Sequence, residues 1–369
     1  MEDDPDPFKL LVTGELAEHP MIAKFREGKA PHHYWEKSAK TVAYRLLYAP
    51  QDEMTAVIGP TASGKTALSN EICRRVERAA EQFGQNRPPR IVRINLRSPA
   101  SGRFDWSKDF FKPVNNAFSL VPHEKKISLD AVRRPPIKGP RGGTPRQSAD
   151  EAEDEMHEHL SAQNVIGVLV DNAQHIRKAA SGKAAADNYD KLKCTSDNTR
   201  SHFVLFATSH LKDLLAYNGE VGRRVLYVPF HGYSYDETGL ERFAQAAVWL
   251  AEHAPLPIAF SLDDRLQEIF VGSLGEIGAL YAWFERALGH VIIRAGRKIS
   301  WDDMLSTALT KIQRSGIERE AVDLKSFIVE LEKAKAKEEE NRPPTKGKRR
   351  PGVPNPRRLP LGGDLDTAG

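Results

Sequence analysis

Between residues 54 and 232, short aliphatic and β-branched runs alternate with stretches whose apolar positions recur every three or four residues. Such alternation predicts a parallel sheet covered by helices, because parallel strands need long crossover connections. Five strands are predicted, at Thr55–Ile58, Arg90–Asn95, Val165–Val170, His202–Thr208 and Arg224–Val228. Residues 1–53 form a helical lead-in, with Ala39, Ala43, Leu46 and Leu47 at helical spacing. Residues 233–335 carry almost only helical patterns, among them Leu274–Leu288 and Trp301–Ile312; Ser300 stands as an N-cap with Asp303 three residues on. Two segments lack either period. Residues 123–150, rich in Pro, Gly and Arg, interrupt the α/β pattern as an insertion, and residues 336–369 form a Pro-rich, basic, disordered C-terminal tail.

Composition narrows the class. The chain has 369 residues, of which 40% are hydrophobic, enough for about two domains with a real core. No apolar run approaches the roughly 20 residues of a membrane helix. The start, Met1-Glu2-Asp3-Asp4-Pro5, is acidic where a signal peptide would be basic. Cys73 and Cys194 are too few for a disulfide framework and have no metal-ligand spacing. A cytoplasmic protein is expected. The net charge of +4 is small but unevenly placed: Arg133, Arg134, Lys138, Arg141 and Arg146 stand together without acids, and the tail repeats the pattern from Arg342 to Arg358. Such blocks either suit polyanions or are simply solvated.

The chemistry concentrates after the first strand. Gly59-Pro60-Thr61-Ala62-Ser63-Gly64-Lys65-Thr66 fits the phosphate-binding pattern G-x-x-x-x-G-K-[ST]. The glycines allow a tight turn that aims backbone N–H groups at phosphate oxygens. Lys65 is expected to reach the β- and γ-phosphates of ATP, and Thr66 to ligate Mg²⁺. A strand precedes the loop, and a helix beginning around Ala67 follows it, with an N-terminus that favours anions. Val165–Val170 ends in Asp171, where such an enzyme needs its Mg²⁺-associated carboxylate. The next residue is Asn172, whose amide orients a water but cannot take its proton, so slow hydrolysis is expected. Gln174 and His175 either position that water or cap a strand end. Thr208 either senses the γ-phosphate or turns the chain. Arg223 and Arg224 either supply a finger to a neighbouring subunit's ATP or form a surface salt bridge.

The run Val168-Leu169-Val170-Asp171-Asn172-Ala173-Gln174-His175 resembles the Walker B strand of transposon target-selection ATPases, the MuB/TniB/TnsC group of AAA+ proteins. Asp190–Leu192 followed by Thr199–Ser209 resembles that group's helix and strand at sensor 1, with Ala207 in place of a glycine. Ser273-Leu274-Gly275-Glu276-Ile277-Gly278 is similar to the start of its lid helix. The similarity covers roughly residues 35–315. The resemblance implies an AAA+ core at 54–232, a helical lid at 233–335, and an ATP-dependent homo-oligomer, ring or helical filament, on double-stranded DNA. It further implies handover of target DNA to a DDE transposase, with a target-site adaptor protein setting where assembly occurs. Asn172 departs from the group's hydrolytic glutamate, and the lid lacks an arginine near Gly278, for which Arg286 is a weak substitute.

Candidate DNA-facing residues are Lys108, Lys112, Arg133, Arg134 and Lys138; the alternative is solvation alone. Phe104, Trp106, Phe110 and Phe111 read as core rather than a base-stacking platform. His157 and His159, two apart on a helix, face different ways and suggest no metal site. The loop also resembles that of tRNA dimethylallyltransferases, but Arg93-Ile94-Asn95-Leu96-Arg97-Ser98 stands where that family shows an aspartate-serine segment. A different AAA+ or STAND-type switch is the other rival. An initiator would need a winged-helix domain after the lid, and residues 316–369 are too short and polar to make one.

Overall fold

The structure, a computed structural model, describes residues 19–28, 30, 32–50, 53–82, 89–118, 148–178, 182–212 and 224–340. By contacts the chain divides into two units, Met1–Phe327 and Ile328–Gly369. In the second unit the described residues, 328–340, are helical.

Five strands, β1 (Met54–Ile58), β2 (Arg90–Asn95), β3 (Val165–Asp171), β4 (His202–Ala207) and β5 (Val225–Pro229), form one sheet in the order β2-β3-β4-β1-β5. All pairings are parallel. Every residue of β1 and β4 is buried, as expected of strands covered on both faces, while the edge strands β2 and β5 mix exposed and buried positions. Each strand lies within a residue of its predicted span. At the sheet's centre a polar pair joins two strands: Thr55 Oγ1 on β1 and His202 Nε2 on β4 are 2.8 Å apart.

The helices that cover and extend the sheet are α1 (Pro20–Glu27), α2 (His33–Tyr48), α3 (Lys65–Gln82), α4 (Lys112–Phe118), α5 (Ala149–Ala162) and α6 (Gly182–Asp197). Five more follow β5: α7 (Glu237–His253), α8 (Leu262–Ser273), α9 (Ile277–Ile293), α10 (Trp301–Ser306) and α11 (Lys311–Glu340). α2 packs on the sheet through Ala39, Val42 and Leu46, whereas Leu47, expected on the same face, is 65% exposed. α1 does not continue that packing. Its Ile22 and Phe25 join the core of α7–α10 instead, and Arg26 pairs with Glu285 of α9 at 2.6 Å.

The helical region is cut more finely than its periodicity predicts. Leu274–Leu288 is not one helix: Leu274 (φ 58°) and Gly275 (φ 68°) turn left-handed to close α8, and α9 starts afresh at Ile277. Trp301–Ile312 is likewise broken. Ser300 and Asp303 form the expected capping box of α10, but Thr310 and Gln313 make a second reciprocal cap, at 2.8 and 3.3 Å, that launches α11. The boundary expected at 336 falls inside α11, and the tail beyond Glu340 lies outside the described residues.

Candidate nucleotide site

The strand order places β4 between β1 and β3, so the loop after β1, Thr208 after β4 and Asp171 at the end of β3 share the carboxyl edge of the sheet. That edge is where open α/β sheets bind ligands. The loop turns through left-handed Ala62 (φ 64°) and Gly64 (φ 99°), the second a value that requires glycine. α3 begins at Lys65 directly after it, so the end of a helix where N–H groups lack intrahelical partners adjoins the loop. Lys65 Nζ donates to Gly59 O at 2.9 Å, Pro60 O at 2.6 Å and Ser63 Oγ at 3.3 Å. Burial lowers its pKa to about 8, against the opposing pull of Glu276, Glu320 and Asp171. Thr66 and Ala67 open the helix exposed, which leaves the Thr66 hydroxyl accessible from solvent.

Asp171 is 2% exposed. Its Oδ2 accepts from Arg93 Nη2 at 3.1 Å and its Oδ1 from the Asn172 N–H at 2.9 Å. Arg93 Nε also donates to Ser69 Oγ at 3.0 Å, tying β2, β3 and α3 together beneath the loop. Asn172 itself is left-handed (φ 57°), a region Asn tolerates. Its Nδ2 donates to Asn95 Oδ1 at 2.8 Å, and its Oδ1 accepts from Gln174 Nε2 at 3.3 Å. Both ends of the amide are thereby engaged within the chain.

The other expected residues are dispersed. Thr208 is 7% exposed and its Oγ1 lies 3.0 Å from His210 Nδ1. Arg224 forms an ion pair with Asp197 of α6, and Arg223 lies outside the described residues. Arg286 turns to the end of α10, donating to the O of its C-cap Thr307 at 2.9 Å. Lys108 is exposed and 3.8 Å from Asp105, and Lys112 opens α4 half-buried. Arg133, Arg134 and Lys138 lie outside the described residues. Phe104, Phe110 and Phe111 are buried and Trp106 donates its indole N–H to Asn188 at 3.0 Å, so these aromatics are core. Among the described residues no cluster could hold a metal through His, Cys, Asp and Glu alone, and His157 and His159 do not converge.

Two carboxylates that periodicity did not single out face the loop. The first turn of α9 lies against it so closely that a Cβ on Gly278 would sit 2.3 Å from Ala62 O. Just before that turn, Glu276 is 2% exposed and accepts the Gly232 N–H at 2.8 Å, leaving its Oε2 unpartnered. Burial raises its pKa to about 7. On α11, Glu320 Oε2 accepts the Thr61 N–H at 2.6 Å. The only sequence signal for Glu276 was an acid beside the Gly-x-Ile-Gly-like run; Glu320, one acid among many on a polar helix, had none.

A loop of this geometry between a buried parallel strand and a helix, with an aspartate at the end of a neighbouring strand, defines a P-loop nucleotide-binding α/β domain. Residues 50–215 match the family model described as an AAA domain, and this part of the chain is a P-loop AAA domain of the AAA+ ATPase family. No curated protein matches the sequence. Among solved structures, the chain is similar to the ORC2 protein of Aeropyrum pernix in its ADPNP–ADP complexes, with 14% identity over 78% of this chain and 72% of that one and a TM-score of 0.47. It is also similar to Cdc6p of Pyrobaculum aerophilum, with 15% identity over 77% and 69% and a TM-score of 0.48. A Walker-type ATPase of Pyrococcus abyssi shares 16% identity over 83% and 76%, with a TM-score of 0.42.

Proposed function

We propose that this chain is an ATP-dependent DNA-binding regulator of transposition, which oligomerises on target DNA and recruits a DDE transposase. The observation that carries the nucleotide part is the half-buried Lys65 at the head of α3, folded onto Gly59 O and Pro60 O of the loop and within the electrostatic reach of Asp171. The loop N–H groups and Lys65 bind the phosphates, while Thr66 and Asp171 supply hard oxygen ligands suited to Mg²⁺. The bound ion, when present, neutralises charge on the β- and γ-phosphates. Arg93 orients Asp171 from behind. Asn172, held by Asn95 and Gln174, orients water but accepts no proton, so binding outlasts hydrolysis and the ATP-bound assembly is long-lived. Thr208 acts as the γ-phosphate sensor, and Arg223 or Arg224 reaches a neighbouring subunit's nucleotide once oligomerisation breaks the Asp197 pair.

The transposition part rests on the run Val168–His175, the Gly275–Gly278 segment and the basic blocks. Sequence-tolerant contacts from Lys108, Lys112, Arg133, Arg134 and Lys138 suit a protein that must accept many targets. The test is fluorescence anisotropy on labelled random-sequence duplex DNA, without nucleotide, with ADP, and with a non-hydrolysable ATP analogue plus Mg²⁺. Cooperative, salt-sensitive binding only with the analogue, lost in Lys65→Ala, is expected. Binding indifferent to nucleotide would sink the reading and leave an AAA+ switch acting on another partner.

A further inference from the structure

α11 reaches the nucleotide site with one face. Glu320, Asp323, Leu324 and Phe327 stand at i, i+3, i+4 and i+7, a single stripe of a helix. Each member is engaged by a neighbouring part of the sheet's edge or is buried. Glu320 takes the Thr61 N–H of the loop after β1 at 2.6 Å. Asp323 forms an ion pair with Lys212 in the turn after β4, which holds its carboxyl below the usual range. Phe327 meets Tyr227 of β5 edge to face at 5.2 Å, and Leu324 is 1% exposed. Strands β4, β1 and β5 are consecutive in the sheet, so the stripe runs from the loop after β1 and the turn after β4 to the middle of β5.

We propose that residues 311–327 of α11 act as a tethered competitor of nucleotide, with the Glu320 carboxylate holding a phosphate-loop N–H until nucleotide displaces it. The proposal rests on the nucleotide reading of the loop. A carboxylate on a loop N–H offers the donor the same charge-assisted bond that a phosphate oxygen would. Two anions cannot share that donor at close range without strong repulsion. A carboxylate that polarised the attacking water would have to stand one water away from the phosphate rather than on the loop itself. The apparent affinity for nucleotide is therefore reduced by the fraction of molecules in which the helix is released.

The experiment uses the full chain as wild type, Glu320→Ala, Glu320→Gln and Asp323→Ala. It reads the Kd of a fluorescent, non-hydrolysable ATP analogue with Mg²⁺, ATP turnover, and hydrogen exchange across residues 311–327. Glu320→Ala is expected to bind roughly tenfold tighter, the size of one charge-assisted bond to an open site, with Glu320→Gln and Asp323→Ala in between. Exchange across 311–327 should rise in Glu320→Ala without nucleotide and in wild type with it, while β3 stays protected in all four. Equal or weaker binding by Glu320→Ala overturns the competitor and leaves the nucleotide reading standing. Unchanged affinity with lost turnover also overturns it, and makes Glu320 the water-polarising base. No analogue binding by any of the four chains overturns the nucleotide reading itself, and the competitor with it.

Discussion

Asn172 shows what a single side chain decides. Its amide is held by Asn95 at 2.8 Å and Gln174 at 3.3 Å, and on the proposed reading it orients a water without accepting its proton. A positioned general base is worth about 10²–10⁴ in rate. Asn172→Glu is therefore expected to raise ATP turnover by at least about tenfold with little change in the Kd of a non-hydrolysable analogue, measured by phosphate release. Unchanged turnover would mean that another group already serves as base. Away from the site, burial lowers the pKa of His202 to about 4, and its Nδ1 has no partner. The unfolded chain takes up this proton near pH 6.5 and the folded one near 4, so stability falls as pH drops through that window. His202→Gln should lose less stability than wild type between pH 6.5 and 4, by up to about 3 kcal/mol in urea titrations. At this scale the sequence exposed the loop and Asp171, because their spacing is chemically constrained. It could not expose Arg93, Glu276 or Glu320, whose partners come from other elements.

Among elements, α9 joins the helical region to the phosphate loop. Gly278 allows this: a Cβ there would meet Ala62 O at 2.3 Å and Gly64 N at 2.8 Å, both backbone atoms that cannot swing aside. Gly289, on the same helix, has nothing within 4 Å of its would-be Cβ. Gly278→Ala is thus expected to cost about 1–3 kcal/mol and weaken nucleotide binding, as an overpacked contact does. Gly289→Ala should instead stabilise by about 0.5–1 kcal/mol through helix propensity. Thermal unfolding of the pair with and without the ATP analogue checks both; equal effects would refute the close-contact account. The strands were legible to within a residue, since a buried parallel strand is a nearly continuous apolar run such as Val165–Val170. Helix ends were less so, because Leu274 and Thr310 end or start helices through backbone conformation and capping that hydrophobic spacing does not report. The split of α1 from α2 was invisible for a related reason: both are amphipathic, and only the tertiary fold assigns Phe25 to one core and Val42 to another.

For the whole molecule, charge separates what the fold does from what it recruits. The chain carries +4, while residues 341–369 hold seven Lys and Arg against two Asp, so residues 1–340 together are at −1. Residues 1–340 taken together therefore offer duplex DNA no net attraction, and on the proposed reading attraction comes from local clusters, among them those of the net-basic AAA domain, or from the tail. Each phosphate neutralised by Lys or Arg steepens the fall of log K with log salt by about 0.9. If the tail provides most of the contacts, deleting residues 341–369 should flatten that slope by several units and weaken binding most at low salt, with ATP-analogue affinity unchanged. If Lys108, Lys112 and the 133–138 block provide them, the slope survives the deletion and falls instead when those residues are neutralised. Anisotropy across 50–300 mM salt, with nucleotide fixed, separates the cases. A slope indifferent to both changes would move the contacts to another acid-free basic stretch, Arg87, Arg90, Arg93, Arg97 and Arg103.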